Sequence, residues 1–239
     1  MVSVRAVAAV ILAASLATAS WAMLRPERRG MLPERRDQPI VYAALGDSTV
    51  EGQGATRREA NYVSRLHERL RAIYPAARVV NLGIGGATSA DVAADQVQRA
   101  VAAVPHLVTL SVGPNDVTTR VPVARFEQRI DEILKVLGRE TSAVIVVNLL
   151  PDLAVTRRFR SSDMREAVGR QTVLFNEALR RQAKAHGAEL VDLYAPSQKE
   201  VPERPELLAD DGYHPSDVGY ERWAELMWQG VSARIPGGH

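Results

Sequence analysis

Short runs of apolar residues alternate with longer amphipathic stretches along most of this chain. Five runs are rich in β-branched residues and bounded by turn residues, which is typical of strands. These runs cover residues 39–45, 77–83, 106–113, 142–150 and 188–194. Amphipathic stretches that predict helices lie near residues 58–74, 88–104, 123–138, 163–187 and 216–229. Apolar strands separated by helices indicate a parallel sheet that is covered on both faces.

We therefore predict one α/β domain over residues 38–235, a three-layer α/β/α sandwich around a five-stranded parallel sheet. The common flavodoxin-like strand order 2-1-3-4-5 would place strand 1 between strands 2 and 3. Ligands of such sheets bind at the carboxyl ends of the strands, near the point where the strand order reverses. The loops that follow strands 1, 2 and 3 would then meet at one crevice.

The beginning of the chain differs from this pattern. Residues 6–24 carry no charge and are rich in Ala, Val and Leu, and Ala17-Thr18-Ala19 resembles a cleavage site. We expect residues 1–22 to be a signal peptide or an N-terminal membrane anchor, and residues 23–37 to be an Arg- and Pro-rich linker. The arginines after the apolar run argue against export. A buried N-terminal helix is the weaker alternative, because the run has no amphipathic period. Our expectation is a protein exported to the cell envelope or beyond, with membrane association through this segment as the alternative.

Composition narrows the function classes. The 239 residues are 46% hydrophobic and 24% charged, which is ordinary for a globular domain. The net charge is only +2, the arginines are dispersed and aromatic residues make up 5%, so we expect no nucleic-acid partner. The absence of cysteine excludes a disulfide framework, a thiolate metal site and a cysteine nucleophile. We expect neither a metal nor another cofactor; the oligomeric state stays open.

Four polar clusters follow strands or precede the last helix. They are "GDST" at residues 46–49, "GIGGATS" at 83–89, "GPNDV" at 113–117 and "DDGYHPSDVGY" at 210–220. Taken alone, Ser48 could be only the cap of the next helix. In the last cluster Asp211 precedes His214 by three residues, and a tight turn of that spacing can let the carboxylate orient the imidazole.

In this order and at these positions, the clusters resemble the motifs of the SGNH (GDSL-type) hydrolases. The resemblance covers essentially the whole domain after the linker, and it implies a serine hydrolase that cleaves carboxylic esters through an acyl-enzyme. "GDST" would supply Ser48 as nucleophile, "NLGIGGAT" would supply Gly86 and "GPND" would supply Asn115 to an oxyanion hole. "DGYHP" would supply Asp211 as the acid and His214 as the base.

The chemistry requires these residue types. A serine hydroxyl is a poor nucleophile at neutral pH, so Ser48 would need His214 to take its proton, while Asp211 would hold the imidazole in the right tautomer. The backbone N–H groups of Ser48 and Gly86 and the Asn115 amide would donate to the oxyanion. Glycine at position 86 would let the backbone approach the substrate without a Cβ.

One residue departs from the family pattern. The third motif of the family reads Gly-Gly-Asn-Asp, and here Pro114 replaces the second glycine. Proline fixes φ and removes an N–H, so the geometry or a donor of this loop could differ.

Other polar residues near the clusters have simpler interpretations. We expect Asp47 to accept hydrogen bonds from loop amides, and Asp116 to be a turn residue. Asp210 could compete with Asp211 but lacks the offset of three residues to His214. We expect ordinary surface or structural roles for the remaining histidines, His67, His106, His186 and His239.

Three alternatives remain open. The "GIGG" loop could hold a phosphate in a nucleotide-binding protein, or the domain could be a non-catalytic binding module. For an esterase, we expect a small-molecule ester with a short-to-medium or lipid-like acyl group, with a carbohydrate O-acetylesterase as the alternative. Residues 151–164 would form a variable wall whose apolar and arginine residues could accept an acyl group with an anionic head, although a solvated basic loop explains them too.

Overall fold

The computed structural model of the chain describes residues 30–160 and 163–237. The predicted signal or anchor segment, residues 1–22, lies outside the described residues, and so does the first part of the predicted linker. Among the helices of the described part, none is long and apolar enough to cross a membrane. The interpretation of the N-terminal segment therefore stays a prediction.

Five parallel strands form one sheet in the order β2-β1-β3-β4-β5, which confirms the predicted fold class and strand order. The strands are β1 (Val41–Gly46), β2 (Arg78–Asn81), β3 (Leu107–Ser111), β4 (Val144–Asn148) and β5 (Glu189–Val191). The three inner strands are buried throughout, whereas β2 and β5 are partly exposed because each edge strand has a neighbour on one side only.

Helices follow or connect these strands. They are α1 (Ser48–Glu51), α2 (Tyr62–Ile73), α3 (Ser89–Asp91), α4 (Val97–Ala102), α5 (Pro114–Thr118), α6 (Val123–Glu140), α7 (Arg165–His186), α8 (Tyr194–Glu203) and α9 (Asp217–Ser232). Short 3₁₀ turns occur at Arg58–Ala60, Leu153–Val155 and Pro205–Leu207, and a π-helical turn at Val92–Gln96 separates α3 from α4. The sequence predicted one helix over residues 88–104 and missed α8, which contains Pro196 and Pro202.

The sheet has an apolar core on each face. Alternate residues of β1 point to opposite faces, as strand geometry requires. Leu45 belongs to the core under α4, α6 and α7, where the rings of Phe126 and Phe175 pack 4.4 Å apart. Tyr42 belongs to the core under α2 and α9, where Tyr62 stacks on Trp223 at 5.5 Å. The two cores hold the sheet from both faces, and the order of its strands determines which loops lie next to one another.

The carboxyl ends of β1, β2 and β3 bring three of the predicted clusters to one edge of the sheet. The chain leaves β1 into Ser48, leaves β2 into residues 83–89, and leaves β3 into residues 113–117. Because β1 lies between β2 and β3, the three loops are neighbours. The fourth cluster, immediately before α9, reaches the same edge, since His214 contacts Ser48.

Candidate active site

Ser48 sits at a sharp bend between β1 and the four-residue helix α1. Gly46 has φ 147°, and a Cβ there would lie 1.9 Å from the carbonyl oxygen of Ser111, so only glycine fits. The helix is capped by Asp47, whose side chain accepts from the Thr49 N–H at 2.9 Å. Ser48 is therefore not the capping residue that the sequence alone allowed.

The hydroxyl of Ser48 contacts an imidazole instead. Ser48 Oγ lies 2.9 Å from His214 Nε2, and His214 Nδ1 lies 2.5 Å from Asp211 Oδ2. The second carboxylate oxygen, Oδ1, accepts from the backbone N–H groups of Tyr213 at 2.9 Å and His214 at 3.0 Å. The structure thus brings together the three predicted residues in the order nucleophile, base and acid.

The surroundings keep Asp211 ionised. Partial burial would raise its pKa, but hydrogen bonds from the His214 ring and from two backbone N–H groups outweigh burial and hold the pKa below its usual range. The neighbouring Asp210 is exposed and has no side-chain hydrogen bond among the described residues. The ring of Tyr213 packs edge-on against the imidazole at 5.1 Å, so the orientation of His214 is fixed from two sides.

Gly86 and Asn115 lie in the loops that follow β2 and β3. Gly86 has φ 79°, and a Cβ there would meet no atom within 4 Å. Its backbone conformation, rather than a lack of space within the protein, requires glycine. The Asn115 amide donates one N–H to the carbonyl of Ala87 at 2.9 Å, which leaves its second N–H for a substrate oxygen. The predicted oxyanion-hole residues therefore occupy two adjacent loops.

Pro114 is accommodated without loss of a helical hydrogen bond. It is the first residue of α5 after Gly113, and the first N–H of a helix has no partner within the helix. Gly113 supplies the turn before it with φ 135°. The departure from the family pattern therefore leaves the start of α5 and the contact of Asn115 with Ala87 in place.

Asp116 has a larger role than the predicted turn residue. It is fully buried, and its two oxygens accept from the backbone N–H of Ser89 at 2.9 Å and from the Ser89 hydroxyl at 2.6 Å. Burial raises its pKa. The carboxylate ties the loop after β3 to the loop after β2, and so holds Asn115 beside Gly86.

Gln96 is a site residue that the sequence did not indicate. It is fully buried in the π-helical turn, and its side-chain amide makes two hydrogen bonds with the backbone of Gly46, at 2.7 Å to the N–H and 2.8 Å to the carbonyl. Strand β2 pairs with β1 only as far as Ala44. The Ile84 N–H also donates to the Gly46 carbonyl, at 3.2 Å. Gln96 adds a second donor to that carbonyl, supplies the acceptor for the Gly46 N–H, and so fixes the backbone two residues before Ser48.

Asp47 lies directly behind the nucleophile. One oxygen accepts from the N–H and the hydroxyl of Thr49, each at 2.9 Å, as expected for a residue that binds loop amides. The other oxygen is buried without a partner in the described part of the chain. Burial raises the pKa of Asp47 to about 6, against the opposing hydrogen bonds from Thr49.

An apolar pocket opens beside Ser48 and His214 and continues between the segment after β4, α8 and α9. Leucine, valine, proline and tryptophan side chains make most of its lining, namely Pro114, Pro151, Leu153, Leu193, Pro196, Val201, Leu207, Leu208, Pro215, Trp223 and Leu226. The charged Arg222 and Glu200 on its wall neutralise each other in a bidentate pair at 2.7 and 2.9 Å. The pocket thus offers little to a polar group and much to an acyl chain.

The histidines for which we expected surface or structural roles make local contacts, as far as the structure describes them. His67 lies 3.0 Å from the carbonyl of Ala77, and His106 accepts from the N–H of Val41 at 3.2 Å. His186 pairs with Asp131 at 2.7 Å, and His239 lies outside the described residues. Within residues 30–160 and 163–237, no three His, Cys, Asp or Glu side chains are grouped as a metal site.

Comparison with known proteins adds a family and a set of similar folds. The model of the GDSL-like Lipase/Acylhydrolase family matches residues 44–222, a range that contains Ser48, Gly86, Asn115, Asp211 and His214. No curated protein matches the chain in sequence. The crystal structure of LAE5, an alpha/beta hydrolase from the metagenome of Lake Arreo in Spain, is 21% identical with a TM-score of 0.68, over 82% of this chain and 96% of that one.

Two further solved structures have the same fold. TesA is 22% identical with a TM-score of 0.66, over 82% of this chain and 99% of that one. Axe2, an acetylxylan esterase from Geobacillus stearothermophilus, is 23% identical with a TM-score of 0.66, over 80% of this chain and 94% of that one. At these identities the likeness shows the fold.

Proposed function

The chain belongs to the GDSL-like lipase/acylhydrolase family and is a carboxylic ester hydrolase, and we propose that Ser48, His214 and Asp211 carry its reaction on esters of short-to-medium apolar acyl groups. One observation carries the residue assignment: the continuous contacts from Ser48 Oγ through His214 to Asp211, made across 166 positions of the sequence. A mere structural serine has no need of an imidazole aligned by a carboxylate.

In the first half of the reaction, Ser48 Oγ attacks the ester carbonyl carbon while His214 Nε2 accepts the hydroxyl proton. The tetrahedral intermediate collapses by breaking the bond to the alcohol oxygen, which receives that proton from Nε2. In the second half, water attacks the acyl-enzyme, gives its proton to the same nitrogen, and releases the acid with Ser48 restored. Asp211 stabilises the imidazolium that forms in each half.

Three donors would meet the negative oxygen of each intermediate. These are the backbone N–H groups of Ser48 and Gly86 and the second N–H of the Asn115 amide. Gln96 and Asp116 hold the backbone that carries these donors. Gln96 bonds the backbone of Gly46, and Asp116 joins the loop after β3 to the loop after β2 through Ser89. Donors that are fixed before reaction stabilise a transition state without reorganisation.

The apolar pocket supports an acyl ester as substrate. Its walls begin at Ser48 and His214 and continue through leucine, valine and tryptophan side chains. A bound acyl chain would therefore bury its apolar surface against these side chains and remove it from water, which is favourable. A carbohydrate O-acetylesterase is the second candidate, since the similar Axe2 is an acetylxylan esterase. A sugar would require more hydrogen-bonding groups than this mainly apolar lining presents.

Labelling tests the residue assignment. A fluorophosphonate should react at Ser48 alone, since its hydroxyl contacts an imidazole that a carboxylate aligns, and His214→Ala should nearly abolish labelling. Peptide mapping of the labelled protein locates the adduct. A folded protein that leaves Ser48 unlabelled and hydrolyses no ester of a broad panel would instead be a binding module.

A series of p-nitrophenyl esters tests the acyl specificity. We expect kcat/KM to rise from acetyl towards medium chains and then to fall. Val201→Phe, which places a ring in the pocket, should shorten the preferred chain, whereas Val173→Phe, on the exposed face of α7, should not. A wild-type enzyme that hydrolyses acetylated sugars well and medium-chain esters poorly would favour the O-acetylesterase.

For localisation, we propose export directed by the apolar residues 6–24. If the segment is cleaved, the mature protein should begin near Ser20 or Met23; if it anchors the protein, an intact N-terminus should be found in the membrane fraction. N-terminal sequencing of native protein distinguishes the two. An intact Met1 in the cytosolic fraction would contradict export.

A further inference from the structure

The segment that follows β4 is bound to the loop that carries Asp211 and His214. The N–H of Arg158 donates to the carbonyl of Gly212 at 3.1 Å, and the Arg157 guanidinium donates to the carbonyl of Ala209. A Cβ on Gly212 would lie 2.7 Å from the Cβ of Arg157, so the two segments are in close contact. Arg157 and Arg158 are therefore held against the backbone of the catalytic loop.

Arg158 lies close to the imidazole of His214, next to the ring of Tyr213. Its guanidinium carbon lies 4.9 Å from the ring centre of Tyr213, and that centre lies 5.1 Å from the ring centre of His214, so the cation is within about 10 Å of the imidazole. Stacking on an aromatic ring restricts a guanidinium while leaving its N–H edge available. Arg158 is also 5.4 Å from the ring centre of Phe159.

The charges of this segment are not neutralised. Arg157, Arg158 and Arg160 are exposed, and none of them forms an ion pair with a carboxylate in the described part of the chain. Of the two carboxylates on the catalytic loop, Asp211 is held by His214, and the exposed Asp210 forms no ion pair with a described residue. By contrast, the Arg222 guanidinium on the pocket wall is paired with both Glu200 and Glu225. We call Arg157, Arg158 and Arg160 the arginine rim.

We propose that the arginine rim binds an anionic oxygen group, phosphate or carboxylate, on the alcohol part of the ester. This rests on the proposed function, because the apolar pocket then takes the acyl part. The leaving alcohol oxygen must receive its proton from His214 Nε2, so the alcohol lies on the imidazole side, where the rim is. The N–H edge of a guanidinium matches the paired oxygens of either anion. The substrate class is thus an apolar acyl ester of an anionic alcohol.

Three octanoyl esters with the same acyl group test the proposal: those of glycerol, glycerol 3-phosphate and glyceric acid. We expect kcat/KM for at least one anionic ester to exceed that of the neutral ester by about 10-fold at low salt, and the difference to shrink as ionic strength rises. The two anionic esters distinguish phosphate from carboxylate.

Variants of the rim assign the effect. Arg158→Gln should lower kcat/KM for the preferred anionic ester by about 10-fold and leave the neutral ester unchanged, and Arg158→Lys should restore part of the loss. Arg139→Gln, an exposed arginine at the end of α6, is the matched control and should change neither.

Two results would overturn the anion-binding proposal and leave the proposed acyl specificity intact. They are equal rates on all three esters in the wild type, or an equal loss on neutral and anionic esters in Arg158→Gln. The second would mean that Arg158 only supports Tyr213. Failure to hydrolyse any of the three esters would overturn the proposed acyl specificity as well.

Discussion

The two sides of the nucleophile are built in different ways. The histidine arm, residues 209–215, is held mainly by contacts between near neighbours: Asp211 bonds the ring and the N–H of His214, and Ala209 donates to the carbonyl of His214 at 2.8 Å. The oxyanion arm, residues 83–89 and 113–116, is held by contacts between residues 27 and 28 positions apart, from Asp116 to Ser89 and from Asn115 to Ala87.

This difference separates two kinds of preorganisation. In the histidine arm, hydrogen bonds within one short loop set the direction of the base, and the segment after β4 bonds to the backbone of that loop. The oxyanion arm depends on β2 and β3 ending beside β1, and on buried side chains that span the gap. We therefore expect damage to the histidine arm to stop proton transfer, and damage to the oxyanion arm to weaken charge stabilisation.

The largest effect should come from the carboxylate of the histidine arm. Asp211→Asn should lower kcat by about 1000- to 10,000-fold, because an amide cannot stabilise the imidazolium and favours the wrong tautomer. Steady-state kinetics on a medium-chain ester measures the loss. Asp210→Asn, at the exposed neighbouring position, is the control and should keep nearly full activity. Comparable losses in both variants would show that the assignment of Asp211 is wrong.

On the oxyanion arm, Asn115→Ala should lower kcat by about 100- to 1000-fold with a much smaller change in KM, since the lost hydrogen bond strengthens in the transition state. The same variant separates the esterase from the alternative nucleotide binder. Saturable nucleotide binding by a wild type that hydrolyses no ester, and its loss in this variant, would contradict the oxyanion hole.

The histidine arm could be predicted from the sequence because its contacts are local. Asp211 and His214 are three residues apart, and a tight turn at that spacing brings carboxylate and imidazole together. The strand order and the three loops could also be predicted, since apolar runs and helices alternate regularly. Ser48, Gly86 and Asn115 were named through the resemblance of their motifs; the structure places Ser48 against His214 and bonds Asn115 to Ala87, the residue after Gly86.

The supports of the oxyanion arm could not be predicted in this way. Gln96 lies in a stretch that looks like one ordinary helix, and nothing local shows that its amide bonds the backbone of Gly46. Asp116 resembles a turn residue until β2 and β3 place Ser89 beside it. The helix α8 was missed because its prolines oppose a helix in isolation, and it helps to wall the apolar pocket.

Gln96 offers a sharper test of the oxyanion arm. Gln96→Leu removes both bonds to Gly46 and should lower kcat by about 10- to 100-fold while KM changes little, because the Ser48 backbone loses its alignment. Gln96→Glu keeps an acceptor for the Gly46 N–H and should lose less. Gln128→Leu, on the exposed face of α6, is the control. A parallel loss of thermal stability and activity, with no difference between the Leu and Glu variants, would reduce Gln96 to a packing role.

Asp47 belongs to neither arm, and its substitution should change stability more than activity. The folded protein holds its pKa at about 6, whereas an unfolded chain releases that proton near pH 4. Between these values the unfolded state binds fewer protons, so stability is lost as the pH rises from about 4 to 6, and the loss persists above pH 6. Two pKa units correspond to about 3 kcal/mol.

Asp47→Asn removes the charge and keeps an oxygen for the N–H of Thr49. Relative to the wild type, the variant should therefore gain up to about 3 kcal/mol of unfolding free energy at pH 8 and much less at pH 4. Urea unfolding at both pH values measures the difference, and Asp210→Asn at the surface should show none. A variant that is less stable than the wild type at pH 8 would mean that the buried oxygen has a partner which stabilises its ionised form, and Asp47 would then be a support of the serine rather than a cost to the fold.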